Sequence, residues 1–241
     1  KLPKQFYLSI QSERLKEFEI NVLSKCDVVL AISKEDEETI KVCSPSVKTI
    51  VVPAGMGISE SSKNNSNQQD LFFIGSFDWQ PNLQGMEWFF ANVWNDIKMK
   101  FPSLRFVIAG KKMPEAIFKF KSENLIPLGE VPDAKQFILE HGIMIVPLVS
   151  GSGIRIKIVE AMALGKTIIA TTIAAEGLGL SNGENILIAD TADEFIKHID
   201  NCLQDKEFSK TIGKNAYNFA LEHFQNKRIF EKLTAYYRQI A

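Results

Sequence analysis

Cysteine and histidine are both scarce in this chain, and neither sign of charge prevails. The three cysteines, Cys26, Cys43 and Cys202, stand far apart. They offer neither a disulfide framework nor a metal-ligand spacing, so a reducing compartment is expected. The three histidines, His141, His198 and His223, are scattered as well, which leaves no constellation for metal or triad chemistry. Lys and Arg total 28 against 29 Asp and Glu, a net charge of -1. A protein that tracks nucleic-acid phosphates carries a marked basic excess, so nucleic acid is not an expected partner. No apolar run reaches the length of a transmembrane segment, and no charged start with an apolar core suggests a signal peptide. A cytoplasmic protein is expected. The chain opens on Lys1 rather than Met, and the expectation is that it is a piece of a longer protein.

What is present is ordinary globular material, 45% hydrophobic and 24% charged, enough for one to two domains. A polar stretch, SESSKNNSNQQD at 59–70, holds no apolar residue and reads as a linker. Before it, a helical pattern near 11–25, a strand CDVVLAIS, an acidic helix KEDEETIKV and a strand VKTIVVP are too few to enclose a core. After it come short apolar runs: LFFIG, LRFVIAG, NLIPLG, IMIVPL, KTIIAT and NILIA. Helical segments separate the first five. Continuous rather than alternating apolar runs mark strands buried on both faces, and βα alternation implies a parallel sheet with right-handed crossovers. The expected fold is therefore a doubly wound, Rossmann-like α/β domain. In the common strand order 3-2-1-4-5-6, the loops after the first and fourth strands flank the switch point where ligands bind. Those loops are GSFDWQPN and VSGSGIRIK. Helices are expected near 191–204, 206–222 and 225–239, the last amphipathic with Phe230, Leu233 and Tyr237 near one face.

The second loop poses a physical problem. Arg155 and Lys157 stand where a Gly-Ser-Gly turn opens a helix, yet a helix N-terminus already carries about half a positive charge and each cation there costs roughly 0.3–1 kcal/mol. A bound anion offsets that cost. The small residues Ser150 to Gly153 let backbone approach a ligand, and a diphosphate would sit between the N–H groups and the two cations. Glu160, one turn on, would suit a pair of sugar hydroxyls. A second reading stays open at this point: Lys157 and Glu160 as an i,i+3 surface pair, Arg155 solvated, and Ile154, Ile156 and Ile158 alternating as in a strand. Two nucleotide motifs fail. In the GKT of 165–167 the required earlier glycine is Glu160, and the third glycine of a dinucleotide fingerprint falls on Ile156.

GSFDWQPNLQGMEWFFANVW, LRFVIAGK, PLGEVPD and VPLVSGSGIRIKIVEAMALGKTIIATTIAAEGL, in that order, resemble the second domain of GT-B glycosyltransferases of family 4. That retaining group includes many bacterial envelope-polysaccharide enzymes. The resemblance covers about 70–222, while CDVVLAISKEDEETI and VKTIVVPAGM are similar to the end of the family's first domain. It implies a remnant of the acceptor-side domain at 1–55, a linker at 56–70, a nucleotide-sugar-binding domain at 71–222, and a helix at 223–241 that packs toward the first domain.

The resemblance further implies transfer of a hexose-type sugar from a nucleotide-diphosphate sugar to a glycan or lipid-linked acceptor, with no metal or other cofactor. The setting it implies is the cytoplasm, at the inner face of a membrane and without a transmembrane segment. Carried over residue by residue, Arg155 and Lys157 take the catalytic role of stabilising the departing diphosphate, and Glu160 holds the ribose. Gly75 and Ser76 form the glycine turn after the first strand. Glu130 and Val131 meet the base, and Ser150, Gly151, Ser152 and Gly153 line the donor. The chain also departs from the family. Its paired glutamates lie eight residues apart, but Ser152 occupies the earlier position here, and SFDWQPNLQ lacks the cations many members carry after the first strand. Arg155 and Lys157 are expected to replace that charge from the neighbouring loop. Trp88 and Trp94 read as helix-face packing, Trp79 as a loop residue at the switch point and Asp78 as a turn residue. The rival readings are a GT-B nucleotide-sugar epimerase or phosphorylase-like enzyme, and a nucleotide-sugar-binding module without turnover; this chain alone is expected to be inactive.

Overall fold

The structure, a computed structural model, describes residues 4–58 and 69–240. Most of the expected linker, at 59–68, lies outside the described residues. The chain forms two compact units, Lys1–Ala54 and Gly55–Ala241.

In the smaller unit, α1 (Lys4–Leu23) precedes β1 (Val28–Ala31), α2 (Lys34–Cys43) and β2 (Lys48–Val51). The first helix starts seven residues before the expected 11 and ends two before the expected 25. Its apolar residues are spread around the axis rather than gathered on one stripe, and Phe6, Tyr7, Leu8 and Phe18 are all more than half exposed. The two strands pair in parallel, Val28 with Lys48 through Ala31 with Val51. Ser33 caps α2 by accepting from the Asp36 N–H, ahead of a first turn of Glu35, Asp36 and Glu37 that suits the helix dipole.

The larger unit is built on six parallel strands. They are β3 (Leu71–Ile74), β4 (Phe106–Ala109), β5 (Leu125–Gly129), β6 (Ile143–Val146), β7 (Thr167–Ala170) and β8 (Leu187–Ile188), arranged β5-β4-β3-β6-β7-β8. Counted within the unit, this is the expected 3-2-1-4-5-6, and the switch point falls between β3 and β6. The strands are apolar on both sides because both sides are covered. Phe72, Ile74, Val107, Met144, Val146 and Ile168 face one core, and Leu71, Phe73, Phe106, Ile108, Ile143 and Ile145 face the other. Burying one such side chain contributes about 1.5–3 kcal/mol.

Between β3 and β4 run α3 (Gln80–Phe89), a π-helical turn (Phe90–Trp94) and α4 (Asn95–Lys100), covering the expected helix in one continuous path. Met86, Phe89, Val93, Trp94 and Ile97 fill the second core, and Trp88 packs on Phe195. The remaining helices are α5 (Glu115–Phe118), α6 (Ala134–Glu140), α7 (Ile156–Ala163), α8 (Thr172–Ala175), α9 (Ala192–Gln204), α10 (Lys206–His223) and α11 (Asn226–Ile240). Met56 pairs with Gln225, and Ile58 is buried in the first core, so these two residues of the expected linker belong to the larger unit. On α11, Phe230 and Tyr237 are at least half exposed.

One close approach sets the geometry of the ligand end. A Cβ at Gly85 would stand 2.5 Å from the Pro147 carbonyl oxygen. Only glycine lets α3 lie directly on the segment that leaves β6, which brings the two switch-point loops together.

Candidate functional site

The loop after β6 carries Ser150 to Arg155 into α7, and the loop after β3 carries Gly75 to Trp79 into α3. Gly151 adopts φ 108° and Gly153 φ 90°, left-handed conformations that side-chain-bearing residues rarely take, so the turn is written into these glycines. Helix α7 then begins at Ile156 with Arg155 as its N-cap. The alternating isoleucines of the strand reading belong to this helix start: Ile156 is exposed and Ile158 is buried in the core. The helix wins because the apolar set Ile158, Val159, Ala161 and Met162 lies on one face.

Neither α7 nor α3 has a side-chain cap, and neither has an acidic residue in its first turn. Helices α6, α8, α9 and α10 are capped by Asp133, Thr171, Thr191 and Asp205. Both helices entered from the switch-point loops thus start without a side-chain cap and without an acidic first turn, a combination that α5, uncapped at Pro114 but opening on Glu115, does not share.

Arg155 is not solvated. It is 5% exposed, and its guanidinium carbon lies 5.1 Å from the centre of the Trp79 ring. Nη1 donates to the Gly153 carbonyl, while Nε and Nη2 are buried with no hydrogen-bond partner among the described residues. Burial pulls this guanidinium below the ordinary arginine value, against an opposing pull from Glu176. Stranding donors of a charged group in this way costs free energy unless an acceptor arrives.

Lys157 makes no surface pair with Glu160. Its Nζ donates to Asn82 Oδ1 at 2.7 Å and lies 4.3 Å from the centre of the Phe73 ring. It also sits beside Gly75, 3.2 Å from where a Cβ would be. Lys157 thus brings an amine from α7 to the turn after β3. Burial, and then the charge on Arg155, bring its pKa down to about 7. An ammonium in these surroundings is held by a neutral amide and a π face, with no carboxylate.

Around this pair, Ser76 donates to Asp78 Oδ1 at 2.5 Å, and Asp78 accepts from Lys112 Nζ at 2.8 Å. These contacts hold the Asp78 carboxyl below its ordinary range. Ser150 donates to Gln84 Oε1 at 3.0 Å, while Gly151, Ser152 and Gly153 are exposed. Glu160 is part-buried, has no hydrogen bond or ion pair among the described residues, and has its carboxyl pushed up by burial. Glu130 and Val131 lie after β5, two strands from β3, where exposed Glu130 pairs with Lys111 at 3.3 Å. They do not touch the cation cluster. Among the described residues no cluster of His, Cys, Asp and Glu could hold a metal ion.

Sequence reasoning assigned no role to Asn82. Asn82, inside a helix start, carries no signal of its own, and its role exists only because Lys157 reaches it from 75 residues away.

The glycosyl transferases group 1 profile matches residues 68–205, more than half of the chain. The chain belongs to this family. A curated relative, an uncharacterised 44.6 kDa protein in a cps region of Klebsiella pneumoniae, is 25% identical over 242 residues, covering 95% of this chain and 61% of the relative. Among solved structures, sucrose-phosphate synthase of Thermosynechococcus elongatus superposes with a TM-score of 0.72 at 17% identity, over 95% of this chain and 62% of that one. HepE of Anabaena, solved with UDP and glucose, gives 0.69 at 16% identity, over 92% and 66%. The GtfA/B complex gives 0.75 at 13% identity, over 92% and 47%. The fold is that of GT-B glycosyltransferases, and the chain spans roughly two thirds or less of each of these relatives. Among the described residues no helix is long and apolar enough to cross a membrane.

Proposed function

We propose that the larger unit binds the diphosphate of a nucleotide-sugar donor, and that the whole protein is a retaining glycosyltransferase. The observation that carries this reading is Arg155, buried with two donor nitrogens unpartnered, beside the part-buried Lys157 and the uncapped starts of α3 and α7. Such a site is costly without an anion and complete with one.

In glycosyl transfer, negative charge grows on the departing diphosphate as the sugar becomes oxocarbenium-like. Arg155, Lys157 and the N–H groups of α7 are the groups assigned to that charge. Glu160, at the next turn, is assigned to the ribose hydroxyls; burial raises its carboxyl, and two hydroxyl donors would satisfy the oxygens that now lack them. Gly75 and Ser76, together with Ser150 to Gly153, are assigned to backbone contact with the donor, and Glu130 and Val131 to its base. No metal or other cofactor enters this assignment. The proposed sugar is a hexose and the proposed acceptor a saccharide or lipid-linked saccharide in envelope-polysaccharide synthesis. The Klebsiella relative from a cps region supports that setting, as does the family resemblance. The proposed location is cytoplasmic, at the membrane face.

A thermal-shift panel of UDP, GDP and ADP sugars tests donor binding. Ligand at 100 times its dissociation constant adds about 2.7 kcal/mol of stability. UDP is the first choice, because HepE was solved with it. Failure of every nucleoside diphosphate to bind would end the reading. With the full-length protein and an acceptor pool, the anomeric configuration of the product by NMR tests retention.

A further inference from the structure

Two side chains at the start of α3 have no part in the fold's cores, yet they touch the two cations. The Trp79 indole lies between the Arg155 guanidinium and the turn at Gly151, where a Cβ would stand 3.1 Å from the ring. Asn82 is 4% exposed and uses both ends of its amide: Oδ1 accepts from Lys157, and Nδ2 donates to the Ser76 carbonyl at 2.7 Å.

Holding two like charges close together poses a problem. Each repels the other, and each sits on a long side chain with many rotamers. A carboxylate could hold them, but it would also neutralise them and compete with the incoming anion. A π face and an amide oxygen attract a cation while leaving its charge unspent. Among the described residues the carboxylate that acts on Arg155 is Glu176, and it leaves Nε and Nη2 unpartnered.

We propose that Trp79 and Asn82 are positioning residues of the diphosphate site, neutral holders that aim Arg155 and Lys157 at a pyrophosphoryl group without neutralising either. This rests on the diphosphate reading above and adds to it how the chain manages without cations in the loop after β3.

The test is calorimetric titration of the protein with UDP and with inorganic pyrophosphate, using Trp79→Phe, Trp79→Leu, Asn82→Ala and Asn82→Asp, with thermal midpoints recorded for each. Trp79→Phe keeps a π face and binds both probes within about threefold of the wild type, whereas Trp79→Leu and Asn82→Ala weaken both about tenfold. Asn82→Asp, nearly isosteric, gives Lys157 a carboxylate partner. It weakens both probes at least tenfold and moves the pH at which UDP affinity falls, near neutrality in the wild type, upward by one unit or more. A purely structural role for Asn82 would not move that pH. Wild-type binding of UDP and pyrophosphate with Trp79→Leu and Asn82→Asp indistinguishable from it would overturn the positioning roles and leave the diphosphate site standing. Wild-type failure to bind either probe would remove both.

Discussion

Replacing Arg155 with methionine should make the ligand-free protein more stable and the liganded one worse. The guanidinium is 5% exposed, bonds the Gly153 carbonyl through Nη1, and leaves Nε and Nη2 buried without acceptors. Each stranded donor costs about 1–3 kcal/mol, while stacking on Trp79 returns about 0.5–2 kcal/mol. Methionine has similar length, no donors and a sulfur that packs well on an indole. The net expectation is a gain of about 1–3 kcal/mol for the Arg155→Met protein, or about 2–4 °C in midpoint per kcal/mol for a unit of this size. If Nε and Nη2 bind a diphosphate as proposed, the same change removes two charge-assisted bonds, each about 1.5–3 kcal/mol, so UDP affinity should fall about a hundredfold or more. Scanning calorimetry without ligand and isothermal titration with UDP read the two signs separately. A variant that loses stability while binding UDP as well as the parent would show Arg155 to be a packing residue, and the reasoning would fail.

Gly85→Ala places a Cβ 2.5 Å from the Pro147 carbonyl oxygen, so α3 must retreat from the segment after β6. Urea unfolding should show a loss of about 1–3 kcal/mol, with UDP binding weakened because Asn82 and Trp79 move with the helix. Lys166 is fully buried, donates to the Leu139 and His141 carbonyls, and has its pKa lowered from 10.5 to about 8 by burial, partly offset by Asp70. The unfolded chain therefore holds the extra proton between pH 8 and 10.5, and this residue makes stability rise with pH across that window, by ~3 kcal/mol in all. Below pH 8 both states are charged and the penalty is constant; Lys166→Met should flatten the rise, as read by urea midpoints at several pH values. Lys157, lowered to about 7, should take up a proton when UDP binds. Titration at pH 7.5 in buffers of different ionisation enthalpy should show uptake of somewhat more than half a proton, absent in Lys157→Met.

The parallel sheet was legible because six short, continuously apolar runs, most of them separated by helices, leave few ways to bury both faces, while its order was taken from the common doubly wound pattern. The start of α1 was not legible. Its apolar residues follow no stripe, so periodicity carried no boundary. In the site, Gly151, Gly153, Arg155 and Lys157 stood out from local chemistry alone, since cations at a helix start demand compensation.

Which partners those cations take was decided only by the fold. Lys157 could have paired with Glu160 one turn away, and instead reaches Asn82 and the turn at Gly75, because β6 lies beside β3 in the sheet. Arg155 could have stood in solvent, and is instead roofed by Trp79 from the same distant loop. Sequence specifies residue type and local spacing, whereas desolvation and long-range contact arise only when strands distant in the chain become neighbours. Those two quantities lower the pKa of Lys157 and leave Arg155 Nε and Nη2 buried without acceptors.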